Sequence, residues 1–320
     1  MRCPPALPVA RRTEPATFSL LGFRMSSRYR SLLLVSAFLV IYIGWGTTYL
    51  ANHFLLRELP PFVIGALRFC LAGVLAMLWV AARGELKIQR SDWGTALIGG
   101  LLLIAVGQGA LIYANQHLPT GLLAMLYTTL PLWSVALEWL LDERPPLWVL
   151  LGLAIATGGI VLLMGNGLGD NSGAQQWLSG ALVLLATLLW AVGAWWLRKR
   201  APFQSPATGL GLQMLVGAVV MSGLGLAHGD WQLLQLGQMS ANGWLWLAYL
   251  VLPVSLGVYP VYFWLLREVK PSLVSTFAFV NPVVALLLGY LILDESLSLS
   301  AGLACAAILI GVSMIIFGRR

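Results

Sequence analysis

Runs of about 20 apolar residues, separated by short polar breaks, recur along the whole of this chain and leave little choice of solvent. Lipid cannot satisfy backbone N–H and C=O groups, so segments of this kind fold as helices whose hydrogen bonds close internally. Of the 320 residues, 59% are apolar and 10% charged, whereas a soluble domain carries roughly 25% charged residues. The charges sit in the breaks. An excess of 19 Lys and Arg over 12 Asp and Glu therefore reads as a set of topology signals, and no nucleic-acid partner is expected. Cys3, Cys70 and Cys305 form no CxxC pair, and the last two lie inside apolar runs. Both read as small buried hydrophobes, with no basis for a disulfide framework or a metal site.

The breaks delimit ten predicted spans, at 31–51, 61–82, 93–114, 120–141, 146–165, 177–197, 207–227, 244–266, 272–293 and 297–317. The expected fold class is an all-α membrane protein of ten transmembrane helices. Basic residues decide its orientation. With the N-terminus inside, the inner segments hold Arg28, Arg30, Arg83, Lys87, Arg90, Arg144, Arg198, Lys199, Arg200, Arg267, Lys270, Arg319 and Arg320, and the outer segments only Arg57. That positive-inside bias predicts both termini in the cytoplasm. Residues 1–30 are expected to form a cytoplasmic tail. Pro4, Pro5, Pro8 and Pro15 and the lack of a span-length run point to disorder there, or to a translation start at Met25 instead of Met1.

The chain also repeats itself. Trp45, Pro61 and Arg68 align with Trp190, Pro206 and Gln213 at a spacing of 145 residues. Trp93, Thr129-Leu130-Pro131 and Glu143 align with Trp244, Val280-Asn281-Pro282 and Asp294 at 151. The difference falls in the loop around 229–238. Five is an odd number of spans, so the two copies, 31–165 and 177–318, are predicted to lie in the bilayer with opposite orientation, as two inverted five-helix repeats.

Three motifs fit this frame. They are Ile43-Gly44-Trp45-Gly46-Thr47-Thr48-Tyr49 in span one, Pro60-Pro61 followed by Arg68-Phe69 in span two, and Phe277-Ala278-Phe279-Val280-Asn281-Pro282-Val283-Val284-Ala285 in span nine. Together they resemble the EamA branch of the drug/metabolite transporter superfamily, over 31–318. The resemblance implies a bacterial inner-membrane carrier, most often an exporter of amino acids, metabolites or toxic compounds. It does not name the solute.

Arg68 is the sharpest candidate for contact with a small-molecule substrate. It lies seven residues past Pro61, well inside span two. An arginine at the bilayer centre costs about 2.5–3.5 kcal/mol on insertion scales. It should therefore face a central cavity, or else snorkel to the nearer surface. Its repeat partner Gln213 is neutral. Trp45 and Tyr49 share a face, with Thr48 beside them; Ser255, Tyr259 and Tyr262 form a stripe in span eight; Phe277 and Asn281 do so in span nine, and Gln108 and Asn115 in span three. Tyr127 and Trp190 complete the substrate-binding set. Such stripes suit an amphipathic or aromatic solute in a mostly apolar pocket.

Glu138 is the carboxylate that falls inside a predicted span. Two readings stand for it: an interfacial group beside Arg144 or the cytoplasm, and a proton-coupling group. Without coupling, the protein would work as a facilitator. Gly152-x3-Ala156, Ala154-x3-Gly158 and Gly302-x3-Ala306 in spans five and ten are small-x3-small patterns that suit helix packing or a homodimer. His53, His117 and His228 lie in or near loops with no ligand spacing, and no HExxH, GxSxG or P-loop occurs. An enzyme is not expected, nor a cofactor. A channel lacks a filter-like motif, and a sensor lacks an output domain.

Overall fold

The structure is a computed structural model that describes residues 27–118, 123, 126–164, 174–200, 205–292 and 299–317. The expected tail up to residue 26, the connection 165–173 and Asp294 lie outside these residues. The described residues contain no strand. Among them, ten principal helices follow in order: α1 (Tyr29–Leu55), α2 (Pro61–Ala82), α3 (Arg90–Ala114), α4 (Thr129–Leu141), α5 (Leu147–Met164), α6 (Ala174–Lys199), α7 (Pro206–His228), α8 (Ala241–Glu268), α9 (Phe277–Ile292) and α10 (Leu299–Phe317). Six of them (α1, α2, α3, α6, α7 and α8) are long and apolar enough to cross a membrane, and the other four contain shorter apolar stretches. Large apolar side chains cover the outside: Leu140 is 80% exposed, Leu299 83% and Trp177 73%. A surface of that kind needs lipid around it.

Local chemistry explains where the helices begin and bend. Pro61 and Pro206 occupy the first turns of α2 and α7, where a missing N–H costs nothing. Ser240 caps α8 by accepting the Gly243 N–H at 3.0 Å. The helix of α1 is interrupted at Thr47, where the hydroxyls of Thr47 and Thr48 donate to the carbonyls of Gly44 and Trp45 at 2.9 and 2.6 Å. Predicted span nine is split for a related reason. A one-turn helix, Pro271–Val274, precedes α9, and at the junction the Ser275 and Thr276 hydroxyls donate to the carbonyls of Ser272 and Leu273.

Two helices change pitch at their middle. α3 is π-helical over Gly100–Gln108, and α8 over Leu250–Val258. In α8 a physical cause is visible, because Pro253 lacks the N–H that an α-turn would use. The Ser255 hydroxyl donates to the Leu250 carbonyl, five residues back, at 2.8 Å. π-Helical segments are often found at functional sites.

The packing order follows the repeat. α2 lies against α7 and α5 against α10; α3 packs on α6 and α7, while α8 packs on α1 and α2; α4 meets α6, and α9 meets α1. The core is therefore shared between the two halves. At the α5–α10 seam a Cβ on Gly152 would stand 2.6 Å from the Gly311 carbonyl oxygen, so only glycine permits this approach. Gly152 and Ala156 of span five are thus used within the chain, while Ala154, Gly158 and Gly302 are exposed, the two glycines with open space beside them. Cys70 departs from the sequence expectation. It is exposed on the outer face of α2, because an apolar run faces lipid as readily as core.

Candidate functional site

The pitch changes and the break in α1 converge on the middle of the bundle. There Trp45, Thr48, Tyr49, Gln108, Leu111, Tyr127, Phe277 and Asn281 line a small cavity of about 10 Å³, room for one water molecule. These residues come from α1, α3, α9 and the segment leading into α4, and so from both halves. Trp45 is at the centre of an aromatic cluster. Its ring lies 4.3 Å from that of Phe277, 4.9 Å from Tyr262, 5.3 Å from Tyr259 and 5.7 Å from Trp190, all as edge or tilted contacts. The Trp190 indole N–H donates to the Tyr262 hydroxyl at 2.7 Å. Gly107 makes this seat, since a Cβ there would overlap the Trp190 ring. The two repeat-related tryptophans, Trp45 and Trp190, thus meet edge to face across the boundary between the halves.

Polar groups in the cluster are incompletely used. Tyr49 is hydrogen-bonded to Asn281, yet the Asn281 Oδ1, the Trp45 indole N–H and the Tyr259 hydroxyl have no partner. Buried polar atoms are normally paired with protein or water. Of the three residues, Trp45 and Asn281 line the small cavity, a space that a water molecule can enter. Arg68 is fully buried on α2, so it does not snorkel. It donates from Nε to the Ser255 Oγ at 2.9 Å and from Nη1 to the Gln108 Oε1 at 3.5 Å, and its guanidinium lies 4.7 Å from the Phe69 ring centre.

Gln213 stands apart from this group. It packs on α3 at Gly99 and Gly100, where its carbonyl oxygen lacks a partner. Glu138 is also outside the cavity. It is buried, and its carboxylate accepts both the backbone N–H of Ser272 at 2.8 Å and the Ser272 hydroxyl at 2.7 Å. Sequence reasoning missed Ser272 and Leu111. Ser272 is 134 residues from its partner, and Leu111 carries no signal that separates it from a packing leucine. Ser255 was legible only as part of a stripe.

Both ends of the bundle are tied between the halves. At the end where α4, α6 and α8 finish, Arg30 pairs with Glu268 at 2.9 Å, Lys199 with Asp142, and Lys270 with Glu143. At the opposite end the Glu58 carboxylate accepts the Ser240 N–H at 2.7 Å and its hydroxyl at 2.6 Å. Those bonds hold the Glu58 carboxyl below its ordinary range. Asp142 is also held low: desolvation pushes it up, but hydrogen bonds from Lys199 and Trp195 outweigh it. Asp230 adds a third tie at the Glu58 end by accepting the Phe62 N–H at 2.9 Å.

Six helices long and apolar enough to cross a membrane, packed around a small cavity lined by aromatic and polar side chains, fit the class of membrane transport proteins. The sequence pattern of the EamA-like transporter family matches residues 32–165 and again 177–317, and the chain belongs to that family. It is 33% identical over 297 residues to the Escherichia coli K12 protein named uncharacterized inner membrane transporter YedA, covering 91% of this chain and 94% of that one. It is 30% identical to uncharacterized transporter sll0355 of Synechocystis, over 85% of this chain and 86% of that protein. Protein PecM of Dickeya dadantii is 30% identical over 79% of this chain and 82% of its own length. A crystal structure with 21% sequence identity superposes with a TM-score of 0.69, covering 90% of this chain and 96% of the other. At that identity the likeness speaks for the fold alone.

Proposed function

We propose that this protein is a ten-span carrier that exports small metabolites, amino acids or toxic compounds across the bacterial inner membrane by alternating access. In this reading the segments 31–165 and 177–318 are inverted halves, the end rich in ion pairs is cytoplasmic, and both chain termini lie on that side. One observation carries the reading. The cavity is lined from both halves, and towards each end of the bundle a carboxylate of the first half holds a serine of the second: Glu138 with Ser272, and Glu58 with Ser240. Opening either clasp while the other holds would expose the same cavity to one side only, which is what a rocking carrier requires.

The aromatic shell around Trp45 then serves as the binding surface. It suits a solute with a flat or apolar body and a few hydrogen-bonding groups, since aromatic walls give area with little loss of entropy. Resistance and medium-accumulation screens in cells overexpressing the protein would identify solutes, and counterflow in proteoliposomes would test the mechanism. Trp45→Ala should abolish counterflow of any solute so identified while leaving the protein in the membrane. Conductance without saturation, or unchanged counterflow in Trp45→Ala, would refute the carrier reading.

A further inference from the structure

Among the described residues, Arg68 is a fully buried cation without a counterion. The ion pairs there are Arg30–Glu268, Lys199–Asp142, His228–Asp230 and Lys270–Glu143, all at the ends of the bundle. A guanidinium does not shed its proton to escape burial, and a buried charge left uncompensated is costly. What this site offers instead is neutral and partial. Ser255 accepts from Nε in a good bond, Gln108 accepts from Nη1 at the outer limit of hydrogen-bond distance, and Nη2 has no partner at all. The nearby Tyr259 hydroxyl, another donor, is also unpartnered. Unspent donors around one positive charge describe a place for a negative one.

The route to the cavity runs through Gln108. That side chain lines the cavity and also holds Arg68 by its longest bond, so an anion arriving there replaces the weakest contact and leaves the Ser255 anchor intact. Tyr259 lies close by, its ring 5.3 Å from that of Trp45 and 6.1 Å from that of Phe69, over which the Arg68 guanidinium sits.

We propose that Arg68, with Tyr259 and Gln108, forms an anion subsite that takes a carboxylate-sized monoanionic group once the cavity, which here has room for one water, widens, the aromatic shell around Trp45 then receiving any attached apolar body. The inference rests on the carrier reading for its biological use, and not for the binding itself. The anion is either the solute's own carboxylate or a small inorganic anion that occupies Arg68 during the cycle.

Thermal unfolding of the purified full chain in nanodiscs tests this without transport. The probes are sodium benzoate, benzamide and sodium chloride, with ionic strength made up by lactobionate, a disaccharide anion far bulkier than benzoate. Benzoate should raise the midpoint saturably and benzamide should not. Arg68→Gln should lose the response. Should that variant fail to fold, Gln108→Glu decides, because it supplies Arg68 with an internal carboxylate. It should be more stable than wild type without added anion and bind benzoate about ten-fold or more weakly, as a competing counterion requires. If chloride alone gives the full rise and competes with benzoate, the anion is inorganic; if it does not, the carboxylate belongs to the solute; either result supports the subsite. Equal effects of benzamide and benzoate, or a wild-type benzoate response in Gln108→Glu, would overturn it. A carrier of neutral solutes would pass counterflow and fail here, so the two readings fall separately.

Discussion

Replacing Ser272 by alanine should open the ion-paired end of the bundle. The Ser272 hydroxyl donates to one oxygen of the Glu138 carboxylate at 2.7 Å, its backbone N–H donates to the other at 2.8 Å, and Glu138 is 3% exposed. The substitution deletes the first bond and keeps the second. A hydrogen bond to a charged group contributes about 1.5–3 kcal/mol. Because the clasp joins α4 of one half to the one-turn helix before α9 of the other, the proposed carrier mechanism places that loss on the closed state alone. At 1.4 kcal/mol per factor of ten, it shifts the closed-to-open ratio by about 10- to 150-fold. Amide hydrogen exchange over 271–279 reads this ratio directly, and protection there should fall by the same factor while amides around Ser240 keep theirs. A double-mutant cycle with Glu138→Gln isolates the contact, and the pair should couple by about 1 kcal/mol or more. Protection within about two-fold of wild type, or strict additivity, would show that this bond does not hold the end closed.

Two further outcomes follow from the same geometry. Gly107→Ala places a methyl against the Trp190 ring, so Trp190 must shift and lose its bond to Tyr262; overpacking of this kind costs about 1–3 kcal/mol, and thermal unfolding should show it together with impaired counterflow. At the opposite end, the Ser240 bonds depress the Glu58 carboxyl in the folded state. Its contribution is therefore complete above the unfolded-state value of about 4.3 and is lost as pH falls through the lower folded value. Amide protection factors over 240–243, corrected for the intrinsic pH dependence of exchange, should consequently stay flat between about pH 5 and 8 and fall only below about pH 4. A loss of protection between pH 6 and 7 would contradict the hydrogen-bonded clasp.

The part of the architecture that is legible in the sequence is the part written in local pattern. Apolar runs mark the helices because lipid demands closed backbone hydrogen bonding. The 145-residue register picks out Trp45 and Trp190, which do meet at the centre. The stripes on α1, α8 and α9 also converge as their spacing implies. Three things could not be read. Periodicity does not say which apolar face meets lipid, so Cys70 was expected to be buried. Repeat alignment pairs Arg68 with Gln213, but not the surfaces they meet, so Gln213 was expected in the cavity. The clasps join residues 182 and 134 positions apart, and nothing local in Ser240 or Ser272 announces a carboxylate partner.

The difference between Arg68 and Gln213 has its origin in what faces them. Equivalent packing sets α2 against α8 and α7 against α3, so each side chain addresses the π-helical helix of the opposite half. On α8 the π-turn around Pro253 directs the Ser255 hydroxyl to the Leu250 carbonyl, and its oxygen remains free to accept from Arg68 Nε. An arginine is thereby held by a donor chain that ends on backbone. On α3 the facing positions are Gly99 and Gly100, which offer no side-chain acceptor, and a guanidinium there would be buried with nothing to hold it. Glycine leaves room there for the Gln213 side chain. The helices of the two halves pack in matching order, yet Ser255 and Gln108 offer Arg68 side-chain acceptors that Gly99 and Gly100 do not offer Gln213.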